Sequence, residues 1–479
     1  MPSLFKAIVF ALVIAGVGYG ASIWITQQIG PIDADEKLAA AFPLAPHLQA
    51  RLDNIARFDD PAGVQNAQEQ LQVRLRYRLL KCAPTYVPSW YHSIASVQAH
   101  VANPTCFARQ DAALAQWAGL IEIGLILRQP PLRPLALKPG PKVTAEANID
   151  FVHYAAHASI AILHMRSSAQ VVDLATGQML VRIPSPERRV RELSANGRLF
   201  SEQGEGGELY IKDTESGRTL SKMPVTQGCR FAWLDVRTAA CLNGQYLSFI
   251  DFNRGELIQT ELPAPPFANA APVPGKADHY VLMSAREVIE VQLVMRDSTP
   301  KAQLLRKVDG QTLGFAYDWD ALNRSELSAD GNAYLLATER GQLLVFSLQD
   351  LQSRLFDTGP LRVNRVLPTA DPNKVLLYGD MAPAGYSMDN GVVLDIEQQR
   401  MAPVTSRVPV FTRVDFVSAI PAIALIKGRT LTLTNDLATG EPVELGQWRE
   451  QVTRESAEYE VARQAALKQF QARNKKAAP

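Results

Sequence analysis

The stretch SADGNAYLLATERGQLLVFSLQD, Ser328 to Asp350, holds two apolar strands and two tight turns within one short unit. Asp330-Gly331 is a turn pair that supplies the positive φ a two-residue hairpin demands, and Arg340-Gly341 offers the same one strand later. Between the turns Tyr334 to Ala337 reads as an inner strand, and Leu343 to Phe346 as the next.

The unit recurs along the chain. Val171-Val172-Asp173-Leu174-Ala175-Thr176-Gly177 is echoed by Tyr210-Ile211-Lys212-Asp213-Thr214-Glu215-Ser216-Gly217 and by Phe249-Ile250-Asp251-Phe252-Asn253-Arg254-Gly255. Asn435-Asp436-Leu437-Ala438-Thr439-Gly440 repeats the pattern near the end, and each copy reads as strand, Asp, tight turn, Gly, strand. A second turn recurs as Ser194-Ala195-Asn196-Gly197 and Ser328-Ala329-Asp330-Gly331. Less regular units fill Tyr280 to Val294 and Asn373 to Met401, the latter with strands at Val375 to Tyr378 and Val392 to Ile396. Hairpin turns near residues 177, 217, 255, 299, 350, 398 and 440 give seven units of about 44 residues, the period of a four-stranded propeller blade. The expected fold is therefore mainly β, a seven-bladed propeller over 143–448, with six or eight blades as the other closures.

These hairpins resemble those of the broad WD40-like and quinoprotein-like β-propeller families of exported bacterial type, over roughly residues 146 to 448. The Gly-His and Trp-Asp dipeptides of eukaryotic WD40 blades are absent. Repeats that use pyrroloquinoline quinone follow the hairpin with a docking Trp, whereas Gln178 to Val181 and Glu441 to Glu444 contain none, so no cofactor is expected. The resemblance implies architecture, and exported propellers of this kind often serve envelope assembly machinery.

Upstream of the repeats the chain changes character. From Ala7 to Gln27 there is no charge, and Ile8 to Ile25 is long enough to cross a bilayer, with Lys6 before it and Asp33, Asp35 and Glu36 after it. This predicts a cytoplasmic stub (1–6), a signal anchor (7–27) and a single-pass bacterial inner-membrane protein whose remainder is periplasmic. The competing reading is a cleaved signal peptide, with Gly18 and Gly20 as small residues before the cut, leaving a soluble periplasmic protein.

Residues 35–128 read as a helical domain. Asp60-Pro61 is an N-cap followed by Pro at the first helical position, and Val64, Leu71, Leu75 and Leu79 mark one face. A second helix is expected from Ser89, with Ile94, Val97 and Val101, and a third from about Asp111, with Leu114, Trp117, Ile121 and Leu125. Residues 129–142 then hold five prolines in fourteen residues, a stiff linker. Leu132, Leu135 and Leu137 alternate along it, as in a segment laid on the propeller or the helical domain that fixes their orientation. Residues 449–479 turn polar and read as a helix and tail, with partner docking as its functional reading.

The four cysteines form two local pairs, Cys82 with Cys106 and Cys229 with Cys241, and neither pair has the spacing of a zinc half-site. Disulfides are expected at both, in keeping with export. With 49 Lys plus Arg against 48 Asp plus Glu, no global field draws the chain to nucleic acid.

No P-loop, dinucleotide fingerprint, zinc-protease helix, nucleophile elbow or CxxC pair is present, so neither catalytic nor cofactor-binding residues are assigned. Gly204 to Gly207 reads as a blade turn. His153, His157 and His164 form the one histidine cluster, but in a strand residues four apart lie about 13 Å from one another, so no metal site is assigned. Asp380, Asp389 and Asn390 lack EF-hand spacing. The expected function is a periplasmic scaffold for envelope protein partners, not an enzyme; the rival is an enzyme or small-ligand sensor using the central channel.

Overall fold

The structure is a computed structural model. It describes residues 43–82, 104–134 and 142–476, the last without 185–190, 205–206, 226–228, 243–245, 264–266, 268, 297–298, 314–324, 329, 338–341, 360, 370, 382–390, 405–412, 418–421 and 435–438. The expected signal anchor, the helix from Ser89 and the Arg340-Gly341 turn lie outside these residues. Among the described residues no helix is long and apolar enough to cross a membrane. The chain divides into two compact units, residues 1–125 and 126–479.

In the first unit the helices are α1 (Pro46–Ile55), α2 (Pro61–Cys82) and α3 (Pro104–Leu127). Asp60 caps α2 as its sequence suggests, accepting a hydrogen bond from the Gly63 amide at 3.0 Å. Leu48, Leu52 and Ile55 of α1 pack with Ala67 of α2 and with Leu114, Trp117, Ile121 and Leu125 of α3. The helix expected near Asp111 begins earlier, at Pro104, because Pro is tolerated in the first turn. Cys82 and Cys106 are bridged, with Cα atoms 5.5 Å apart.

The second unit is a seven-bladed propeller of antiparallel sheets. Ahead of the first blade lies β1 (Lys142–Thr144). Blade one comprises β2 (Ile149–Tyr154), β3 (Ile160–Met165), β4 (Ser168–Asp173) and β5 (Met179–Pro184). Blade two comprises β6 (Arg191–Leu193), β7 (Leu199–Gln203), β8 (Glu208–Asp213) and β9 (Thr219–Pro224). Blade three comprises β10 (Phe231–Trp233), β11 (Thr238–Cys241), β12 (Tyr246–Asp251) and β13 (Glu256–Pro263). Blade four comprises β14 (Asn269–Pro272), β15 (His279–Met283), β16 (Glu287–Arg296) and β17 (Thr299–Asp309). Blade five comprises β18 (Glu326–Leu327), β19 (Ala333–Ala337), β20 (Gln342–Ser347) and β21 (Ser353–Asp357). Blade six comprises β22 (Leu361–Pro368), β23 (Lys374–Met381), β24 (Val392–Asp395) and β25 (Arg400–Pro403). Blade seven comprises β26 (Arg413–Val417), β27 (Ala422–Lys427) and β28 (Thr430–Thr434).

Closure differs from the sequence expectation at one point. Asn435 to Ala438 of the last repeated turn lie outside the described residues, and the chain after Gly440 supplies no outer strand to blade seven. That place is taken by β1, which pairs with β28 through Lys142 with Thr432, Val143 with Leu431 and Thr144 with Thr430. After Gly440 the chain instead adds β29 (Val443–Glu444) to the outer edge of blade six and enters the long helix α4 (Leu445–Lys476), which begins four residues before the expected tail. The first strands of blades one and two, two and three, five and six, and six and seven touch, which places these strands at the inner edges around the axis.

The repeated turns have a shared mechanism. Gly177, Gly217 and Gly255 all take positive φ, four residues after Asp173, Asp213 and Asp251, whose carboxylates accept hydrogen bonds from backbone amides of the turn. Leu351 and Gln399 occupy the same conformation four residues after Ser347 and Asp395. The other repeated turn is equally regular: Ser194 donates its hydroxyl to Asn196 at 2.8 Å, and Ser328 to Asp330 at 2.6 Å. Apolar residues of adjacent blades fill the space between them, as between blades seven and one, where Val143, Val152, Leu163, Ile426 and Leu431 meet.

The proline-rich segment lies on the propeller where it is described. Leu132 is buried with Ala158, Ile160 and Phe200, its amide donates to the Asn196 carbonyl at 3.0 Å, and Pro134 bridges to Ala158. Leu135 and Leu137 lie outside the described residues.

Candidate functional site

Three regions of the propeller carry chemistry beyond packing. The first is the inner edge. Glu192 on β6 is half-buried, its backbone carbonyl accepting from the Trp233 indole of blade three at 3.2 Å. Burial pushes its carboxyl from 4.5 up to about 7, against the pull of Arg230. Arg230, directly ahead of β10, also acts on Tyr334 of blade five, where burial raises the phenol above its ordinary value, Arg230 lowers it and Glu326 raises it. The fully buried Tyr280 of blade four donates its hydroxyl to Asp235 at 3.0 Å and accepts from the Thr238 hydroxyl at 2.8 Å, both in blade three, which ties those blades together.

The second region is the outer hairpin of blade four. Its strands run ten and eleven residues and leave Met295, Leu304 and Leu305 between 37% and 45% exposed. The base of the hairpin is fixed by the buried carboxylate of Glu290. Burial opposes its charge, yet Arg306, His279 and Lys276 together hold its pKa below the ordinary value. Arg306 also donates to the Gln349 carbonyl of blade five at 3.1 Å, so the cage spans two blades.

The third region is a cleft between blades five and six. One cavity of about 350 Å³ is lined by Arg354 to Asp357 on one side and by Gln399, Leu445, Gly446 and Arg449 on the other. A second, of about 330 Å³, continues past Arg354 to Asp330, Asp350 and Asn373. The start of α4 wedges into the same seam: Trp448 and Val452 are buried with Leu335, Phe356, Val363 and Met401. Arg449 meets Asp357 at 3.4 Å.

The sequence-derived candidates fall as follows. Cys229 and Cys241 are bridged across β10 and β11, with Cα atoms 5.1 Å apart, and there are no free cysteines. His153 lies on β2 and His164 on β3, their rings 5.2 Å apart with Phe151 stacked on His164, while His157 lies in the turn between these strands. No group of three or more His, Cys, Asp or Glu side chains among the described residues is placed to hold a metal ion. Asp380 sits on β23, and Asp389 and Asn390 lie outside the described residues. Sequence reading did not single out Glu192, Arg230, Glu290 or Arg354. Each takes its meaning from residues on other strands or blades, which no local pattern signals.

The fold makes this chain a seven-bladed β-propeller with two disulfides and a separate helical unit. No protein-family model matches the sequence, and no curated protein is significantly similar to it.

Proposed function

We propose that this chain is a non-enzymatic, membrane-anchored periplasmic scaffold whose propeller binds protein partners of a bacterial envelope assembly. The observation that carries the reading is the blade-four hairpin, which leaves Met295, Leu304 and Leu305 exposed on long strands fixed by Glu290. Rigid elements that present exposed apolar side chains suit protein contact, because little order has to be gained on binding. The two disulfides accord with an oxidising compartment, and the apolar run between Lys6 and Asp33 with an N-in anchor. The test is affinity capture from detergent-solubilised membranes: a partner retained in stoichiometric amount by the wild type and lost from a Leu304→Asp, Leu305→Asp variant supports the reading. Equal capture by both would remove the hairpin from it.

A second reading draws on the inner edge. At that edge burial pushes the Glu192 carboxyl up to about 7 against the pull of Arg230, so a small ligand of the channel would meet a carboxyl that changes charge near neutral pH. Ligand-dependent change in the Trp233 fluorescence of the purified chain would favour it.

A further inference from the structure

We infer that the cleft beside β21 receives an extended segment of a partner protein, which adds a strand to the edge of blade five and sets a carboxylate on Arg354. The inference rests on the scaffold reading and deepens it by giving the chemistry of one partner segment.

The edge is open in a way that can be read from its register. The Ser347 amide donates to the Gln352 carbonyl at 2.9 Å, and β21 continues antiparallel to β20 with Val345 opposite Arg354 and Leu343 opposite Phe356. Backbone groups alternate in such a ladder, so Arg354 and Phe356 bond inward while Ser353, Leu355 and Asp357 turn theirs outward. The strand holds neither Pro nor a bulge. The outer strand of blade four differs on both counts, with Pro300 and a register shift opposite Glu290 and Val291, devices that protect an edge from pairing.

The chain supplies its own precedent one blade along. On β25, Val443 and Glu444 of β29 pair with Met401 and Arg400, and the Glu444 carboxylate accepts from Arg400 Nε at 2.9 Å. That is strand addition by an apolar residue followed by an acid. In the cleft Arg449 is satisfied by Asp357. Arg354 is exposed, its guanidinium 5.9 Å from the Phe356 ring centre, with no carboxylate partner among the described residues. The acids farther along are occupied by their own turns, Asp330 accepting from Ser328 and Asn332, and Asp350 from the Gln352 amide. A partner strand therefore finds outward amides, an exposed Leu355 for an apolar side chain and a guanidinium for an acid.

The probe is a capped hexapeptide, Thr-Thr-Val-Glu-Val-Thr, and its Gln counterpart, titrated at millimolar concentration into the full chain at low salt and followed by fluorescence anisotropy and amide hydrogen exchange. The expected result is protection of the Ser353, Leu355 and Asp357 amides, with the Gln peptide bound roughly fivefold more weakly. Arg354→Ala should erase the Glu/Gln difference. Leu355→Pro removes only an outward donor and should abolish binding of both peptides while thermal melting stays unchanged; should that variant melt early, the Arg354→Ala comparison decides. Absence of binding, equal binding of the two peptides by the wild type, protection on another blade, or self-association of the chain in place of peptide binding would overturn the inference. If the peptide fails while a partner is still captured through Leu304 and Leu305, the cleft assignment falls and the scaffold reading stands; if both fail, both fall.

Discussion

Val143 lies opposite Leu431 in the seventh sheet, a pair drawn from the first and last stretches of the propeller. The ring is closed by a three-residue strand, and with Val143 only 2% exposed its side chain belongs to the core between blades seven and one. Val143→Asp should bury an unpaired charge and cost more than about 3 kcal/mol. Val73→Asp, at a helical position 70% exposed, is the control and should be near neutral. Thermal melting of the two variants checks the difference.

The two disulfides should act on separate transitions. Cys82–Cys106 closes the longer loop, of sequence separation 24 against 12, and in the chain-entropy model a loop of that size is worth about 3 kcal/mol. The Cys82→Ser, Cys106→Ser variant should lower the melting of the helical unit and leave the propeller transition where it is. Calorimetry that resolves the two transitions measures this directly.

Gln399 holds a positive φ of 54° at an exposed turn where other blades place Gly. Gln399→Gly should therefore stabilise the propeller by about 1 kcal/mol, the left-handed penalty relieved. Denaturant titration is the measurement. The same exchange at Leu351, which is buried in the core between blades four and five, should destabilise, since the lost side chain outweighs the relieved strain.

Glu192 sets a pH dependence with a definite sign. Its folded value, about 7, lies above its ordinary 4.5, so between these values the unfolded chain loses the proton while the folded one keeps it. Stability from this group is fully present below pH 4.5 and is lost as pH rises toward 7. Because Glu192 is half-buried, the loss should fall short of the roughly 1.4 kcal/mol per pH unit of a fully shifted group. Glu192→Gln should melt above the wild type at pH 8 and alongside it at pH 4.5.

Asn196 ties down the chain ahead of the first blade: its side-chain amide donates to the carbonyls of Ile126 at 2.9 Å and Leu127 at 3.1 Å. Asn196→Ala leaves these acceptors unmet and should cost about 1 to 3 kcal/mol. Limited proteolysis should then cut near Gln129 to Arg133 faster than in the wild type.

What the sequence made legible, and what it hid, follows from the range of the signals. Asp173, Asp213 and Asp251 with the glycines four residues on are local turn chemistry, so the blade repeat and its period could be read directly. Leu351 and Gln399 adopt the same backbone without glycine, which weakens the pattern in blades five and six. β1 is invisible as a blade strand, because Lys-Val-Thr has no periodicity and finds its partner only at Leu431. The disulfides were legible from spacing. Glu192 and the cleft around Arg354 draw on residues from different blades, and Glu290 meets Arg306 only through the register of its own hairpin, so single-sequence reading reaches neither.

The most direct test of the scaffold account is photo-crosslinking in intact cells, with a photoreactive residue placed at Leu304 and, as a control, at the exposed turn residue Ser216. The account predicts one dominant envelope-protein adduct from Leu304, absent from Ser216 and lost when Met295 and Leu305 are both replaced by Asp. Adducts from Leu304 no more frequent or specific than those from Ser216 would contradict it.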